Sequence, residues 1–141
     1  MKMAKIHIDG KGLILGRAAT FVAQRLLRGD EVVLFNASQM VVSGNRKSIL
    51  AEEQHLRDTG SNVGKGPFYQ RRPQAFVKRT VRGMLPKNAR GEEALKRLRV
   101  FNTVPEGISA NTTIEGASVS KLPNSKFVTV ERITRAMGGS Q

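Results

Sequence analysis

The chain has no cysteine and no tryptophan, and it has one tyrosine and two histidines in 141 residues. Without cysteine there is no disulfide framework, no thiolate metal centre and no sulfur nucleophile, a usage that fits a reducing compartment. Two histidines give little metal or acid–base chemistry. His7 alternates with Ile6 and Ile8 in a short strand pattern, and His55 lies near Glu52, Glu53 and Asp58, which read as a solvated helix face. A metal site needs more converging ligands, and a catalytic triad needs a nucleophile beside a base. No catalytic residue, metal ligand or cofactor site is therefore expected. Met1 to Asp9 has no apolar signal core, and no run approaches the roughly eighteen apolar residues of a membrane span. The expectation is a cytoplasmic protein without a membrane partner. Acids are also scarce, 11 against 24 lysines and arginines, for a net charge of +13.

That charge is concentrated. Residues 59–102 hold eleven basic residues and two acids, a balance of +9, while residues 1–58 sum to +3 and residues 103–141 to +1. A folded surface carrying so much charge of one sign repels itself unless a polyanion neutralises it, and nucleic acid is the commonest one. Anionic lipid is the weaker alternative, because the basic helices lack the exposed Trp/Phe face of interfacial helices. At 141 residues the chain is long enough for one domain with a core.

The patterning predicts an α/β fold. Ile6–Ile8 reads as a strand and Gly10-Lys11-Gly12 as a turn. Leu15, Ala18, Ala19, Val22, Ala23 and Leu26 recur at helical spacing, closed by Gly29-Asp30. Val32–Phe35 is four consecutive apolar residues, a strand buried on both faces. Strand, helix and buried strand within about thirty residues make a βαβ unit and a parallel sheet. Met40–Val42 is a short apolar run, and Ser43-Gly44-Asn45 is a turn that caps a helix carrying Ile49, Leu50 and Leu56. Pro73 suits a first helical turn, with Val77, Val81, Met84 and Leu85 as one stripe and Pro86 as the stop. Residues 91–98 form a short helix with its acids first and its bases last, as the macrodipole prefers. Val100-Phe101 is the expected last strand. Residues 103–126 read as an extended loop, since twelve of the twenty-one residues at 105–125 are Ser, Thr, Asn, Gly or Pro. A loop so long suggests ordering by a partner. Residues 127–141 read as a C-terminal helix marked by Val130, Ile133 and Met137 and stopped by Gly138-Gly139.

Gly10-Lys11-Gly12 with Gly16 lies between a strand and a helix, where nucleotide folds place a phosphate loop. The spacing is not the dinucleotide fingerprint, no P-loop motif occurs, and Phe35 is followed by Asn36, not an acid. The turn therefore reads as structural, with Gly16 expected to sit where a side chain would jam the first helix against the sheet.

The basic segment is the candidate site. Lys78, Arg79 and Arg82 share one helix side, Arg71, Arg72 and Lys87 bracket it, and Arg90, Lys96 and Arg97 follow. Arg17, Arg46, Lys47 and Lys65 complete the predicted RNA-binding set. Few acids are available to pair with these cations. Arginine outnumbers lysine in the segment, which suits bidentate phosphate contacts. Aromatics do not interleave, so the pattern favours backbone and shape recognition of folded RNA over reading of splayed bases.

Several blocks together are similar to one family. Ile8-Asp9-Gly10-Lys11 with Leu15–Thr20, Val33–Ala37 with Val42–Asn45, Val81–Lys87 and Leu98–Phe101 resemble, in the same order, the L-thirteen family of large-subunit ribosomal proteins. The likeness spans residues 5–102. Arg82-Gly83-Met84-Leu85-Pro86 is its most specific block, and Gln70-Arg71-Arg72-Pro73 looks like the archaeal and eukaryotic branch. The resemblance implies a three-layer α/β/α fold around a small, mostly parallel sheet with basic helices and extensions. It also implies a structural role in binding large-subunit rRNA during assembly, beside neighbouring ribosomal proteins, with no activity, cofactor or small-molecule substrate. Two other readings stay open at this point: a free-standing RNA-binding regulator of translation, and a nucleotide-dependent RNA-modifying enzyme.

Overall fold

The computed structural model describes residues 3–58, 71–123 and 125–136. Strand β1 (Lys5–Asp9), helix α1 (Leu15–Leu27) and strand β2 (Glu31–Phe35) form the expected βαβ unit, with β1 and β2 parallel and directly paired. Strand β4 (Leu98–Val100) adds parallel on the other side of β2, giving the order β1-β2-β4. Val32 to Phe35 are all buried, as four apolar residues in a central strand require. In this register Ile6, Val32 and Leu98 point to one face, with Ile8, Leu34 and Val100 a step along.

That face carries the main core. Val22 and Leu26 of α1 meet it, together with Val77 and Val81 of α3 (Pro73–Met84) and Ala94 of α4 (Ala89–Lys96). On the opposite face the His7 ring tilts against Phe35 at 5.9 Å between centroids. The α/β fold with a small, mostly parallel sheet is thus present. Beside it lies an antiparallel pair, β3 (Val41–Ser43) with β5 (Phe127–Thr129). Helices α2 (Arg46–Asp58) and α5 (Val130–Ala136) pack there around Val128 and Ile133.

Several expectations shift. The last strand is β5, not Val100-Phe101. Strand β4 starts at Leu98 because the backbone there pairs beside Val32. The short helix begins earlier and ends earlier than 91–98, since the Asn88 side chain accepts from the Gly91 N–H at 3.0 Å and caps it. The C-terminal helix starts at Val130, not at 127, because Phe127–Thr129 pair with β3. Met84 belongs to the apolar stripe by spacing but is 41% exposed. It lies in the last turn of α3, where the Thr20 hydroxyl on the exposed side of α1 donates to its Sδ at 3.6 Å.

Gly16 does not jam helix against sheet: it is exposed, and a Cβ there would meet nothing within 4 Å. Two other glycines carry the close approaches. A Cβ on Gly10 would stand 2.6 Å from the Phe35 carbonyl oxygen, and one on Gly91 would overlap the Pro86 carbonyl.

The segment after β4 is a strap. Main-chain N–H groups of Asn111 and Thr112 donate to the His7 carbonyl at 3.0 and 3.1 Å. The Asn111 side chain accepts from the His7 N–H at 2.9 Å and donates to the Lys5 carbonyl at 3.2 Å. Short 3-10 turns follow at Glu115–Ala117 and Val119–Lys121. The outer edge of β1, open by sheet order alone, is closed this way. The Gly60–Pro67 loop, Met137 and the glycine stop at 138–139 lie outside the described residues.

Candidate nucleic-acid interface

Helix α3 sets the basic surface. Pro73 occupies its first turn, where a missing N–H costs nothing, and Arg72 is its N-cap. Val77 and Val81 are fully buried against the core, so Lys78, Arg79 and Arg82 are carried to the exposed side by the helical period. Arg71 and Arg72 are exposed just before the helix, and Lys87 just after Pro86. Between the end of α3 and α4 lies a cleft of about 440 Å³ lined by Arg79, Arg82, Lys87, Gly91 and Glu92, among others. Among the described lining residues, three cations against one carboxylate make it a concave positive surface. Gly91 lets α4 settle onto the Pro86 carbonyl and so shapes the cleft.

Arg79 is not purely a surface cation. Burial pushes the Glu53 carboxyl on α2 above the ordinary carboxylate range, the neighbouring Glu52 pushes it the same way, and Arg79 opposes them. An acid from the 1–58 segment, well upstream of α3, therefore shares the field of the basic helix.

Two members of the predicted set work inside the fold. Arg97 donates from Nη2 to the Leu26 carbonyl at 2.6 Å, and Arg90 donates from Nη2 to the Leu27 carbonyl at 3.4 Å. Both carbonyls belong to the last turn of α1, the negative end of its dipole. Arg97 is half-buried, with its Nε unpartnered, whereas Arg90 and Lys96 are exposed. Arg17 is exposed and donates to the Gly116 carbonyl of the strap at 3.2 Å. Arg46 and Lys47 start α2, away from the α3–α4 cleft. Lys65 lies outside the described residues. Sequence reasoning omitted Arg99, exposed on β4, and Arg132 and Arg135 on α5, which flank a cleft with Arg46. The i, i+3 spacing of Arg132 and Arg135 around buried Ile133 and Thr134 is the signal for the last two.

The glycine turn has no main-chain cradle to offer. The Gly10 N–H donates to the Phe35 carbonyl, Lys11 to Asp9 Oδ1, Gly12 to the Gln39 carbonyl, Leu13 to the Gly10 carbonyl and Ile14 to the Ala117 carbonyl. A phosphate loop needs such N–H groups free. The adjoining cavity of about 690 Å³ carries Asp9 and Glu115 against Lys11 and Lys121, a balanced lining. Among the described residues no three His, Cys, Asp or Glu gather as a metal site, and no helix is long and apolar enough to cross a membrane.

Comparison with known proteins agrees with the block pattern. Residues 4–106 match the model of the family Ribosomal protein L13. The chain is 42% identical over 134 residues to large ribosomal subunit protein uL13 of Methanococcoides burtonii, covering 93% of this chain and 96% of that protein. It is 42% identical over 139 residues to the Caenorhabditis elegans protein of the same name, covering 94% and 69%. For the Thermoplasma volcanium protein of that name the identity is 36% over 133 residues, covering 94% and 97%. These relatives are archaeal and eukaryotic, as the lead-in to α3 suggested. With a family match across most of its length and such relatives along nearly all of it, the chain belongs to the ribosomal protein L13 family.

Proposed function

We propose that this chain is a structural, non-catalytic constituent of the large ribosomal subunit that binds large-subunit rRNA and supports subunit assembly, acting at the ribosome beside neighbouring ribosomal proteins. The observation that carries the reading is the concentration of exposed cations on and around α3, with one acid in the adjoining cleft. The mechanism is charge neutralisation on a rigid frame. The sheet and α1 hold α3 by its buried valines, and the outward side chains lie against phosphates of RNA segments that repel one another when bare. The relatives' shared name places those proteins in the large subunit and supports the same place for this one.

The test is binding of the full chain to a large-subunit rRNA transcript across a salt series, with co-sedimentation on large subunits. If about six phosphates are neutralised, the log–log salt slope is near −4 to −5. Replacing Lys78 and Arg82 with Gln weakens binding and flattens the slope while the circular dichroism spectrum is retained. A salt-independent interaction, or failure to co-sediment, rejects the reading.

A further inference from the structure

A second basic concavity lies between the start of α2, β5 and α5. It measures about 520 Å³ and is lined by Arg46, Leu50, Thr129, Glu131, Arg132 and Arg135. It shares no lining residue with the α3–α4 cleft. Its one carboxylate among the described residues, Glu131, is held by Arg135 at 2.8 Å across one helical turn. Arg46 and Arg132 are exposed, and neither forms an ion pair among the described residues. Helix α2 also begins at Arg46 with no acid in its first turn, so its positive end adds to the same field. The walls are fixed from behind by Val128 and Ile133, with Ile49 and Leu50 packed on them. Two guanidiniums on a rigid concave wall, without a counter-charge of their own, match the planar bidentate geometry of a phosphate diester. Thr129, whose hydroxyl accepts from the Arg132 main-chain N–H at 3.4 Å, is a further polar lining residue.

We infer that this cleft grips the phosphate backbone of a second rRNA segment, so that the chain bridges two RNA stretches rather than lying on one. The inference rests on the rRNA-binding reading above and adds a separate contact, made mainly by Arg46 and Arg132. Bridging gives the assembly role a physical form: one rigid body fixes the distance between two polyanions. The net charge of residues 103–141 alone, +1, hides the cleft, because Arg46 arrives from α2 through the fold.

The experiment compares three full-length proteins on a large-subunit rRNA transcript by filter binding at several salt concentrations: wild type, Arg46→Gln with Arg132→Gln, and Lys78→Gln with Arg82→Gln. Arg135 is left in place because it holds Glu131. Loss of two phosphate contacts predicts roughly ten-fold weaker binding at physiological salt and a slope shallower by about 1.5–2 for the Arg46/Arg132 variant. Hydroxyl-radical footprints of the two variants should each lose protection at a different RNA stretch. If the Arg46/Arg132 variant binds and footprints like wild type while the α3 variant weakens, the second contact is refuted and the rRNA reading stands. If wild type itself shows no salt-dependent binding, both fall. Unchanged RNA affinity with poorer incorporation into subunits assigns the cleft to an acidic protein neighbour and refutes the inference. Equal loss at the same RNA stretch in both variants also refutes it, since the two clefts would then serve one segment.

Discussion

The guanidinium of Arg97 donates to the main-chain carbonyl of Leu26 at 2.6 Å, so a residue counted among the RNA-facing cations closes the end of α1. Charge-assisted hydrogen bonds to half-buried carbonyls are worth about 1.5–3 kcal/mol. Arg97→Ala should therefore lower the urea midpoint by an amount corresponding to about that loss. Lys78→Ala and Arg82→Ala, both on exposed positions, should stay within about 0.5 kcal/mol of wild type. RNA affinity should show the opposite order when measured on the fraction that remains folded.

Gly10 and Gly16 differ in what surrounds them. Gly10→Ala places a methyl 2.6 Å from the Phe35 carbonyl oxygen and 3.0 Å from Met40 Cγ, so the βαβ turn must shift. The expected cost is about 1–3 kcal/mol, read from thermal or urea unfolding. Gly16→Ala meets open space on a helix, and should be neutral or stabilising by up to about 1 kcal/mol.

Glu53 supplies a pH test. Its folded carboxyl titrates above the ordinary carboxylate value, so the native state binds the proton more tightly than the unfolded chain does. Its contribution is most favourable below the unfolded pKa and is lost as pH rises through the folded one. Glu53→Gln should therefore gain stability relative to wild type as pH rises from below the carboxylate range to neutrality. Arg79→Ala removes an attractive charge acting on the group and should move its carboxyl resonance midpoint further up in an NMR titration.

Asn111 tests the strap. Its side chain accepts from the His7 N–H and donates to the Lys5 carbonyl, joining residues more than a hundred positions apart. Asn111→Ala should speed amide exchange at Asn111, Thr112 and along β1, and should bring earlier proteolytic cutting within residues 105–125. The loss in global stability should be about 1 kcal/mol, the usual size for a net hydrogen bond. Exchange in α1 should be unchanged.

Binding of nucleotide at the glycine turn should be absent. Calorimetry with ATP, GTP and NAD should give no saturable heat, because the N–H groups of residues 10–14 already have partners within the fold.

Local pattern alone determined much of this molecule. Four consecutive apolar residues at Val32–Phe35 admit only a strand covered on both faces. The three-and-four spacing in α1 and α3 dictated which sides are buried, and with them which cations face outward. Punctuation by Gly29, Pro73 and Pro86 marked the ends, because backbone conformation at those residues is restricted or special whatever the tertiary setting. The basic segment was equally visible, since charge counts need no fold.

What distance along the chain concealed, only tertiary structure decided. Strand β5 is three residues long and exists because β3 lies beside it, eighty-five or so positions away in sequence, and a short apolar run has no period of its own. Asn111 closes the β1 edge through contacts that no local window contains. The burden on Gly10 and Gly91, and the freedom of Gly16, follow from which backbone lies opposite each of them. The same holds for the arginines. Arg97 turns inward, and exposed Arg90 reaches back, because the carbonyl end of α1 lies within reach, while Arg46 and Arg132 share a cleft because α2 packs on α5. Composition settles how many charges a chain carries; packing decides which carbonyl, carboxylate or open surface each charge meets, because electrostatic and hydrogen-bond energies depend on distances of a few ångströms.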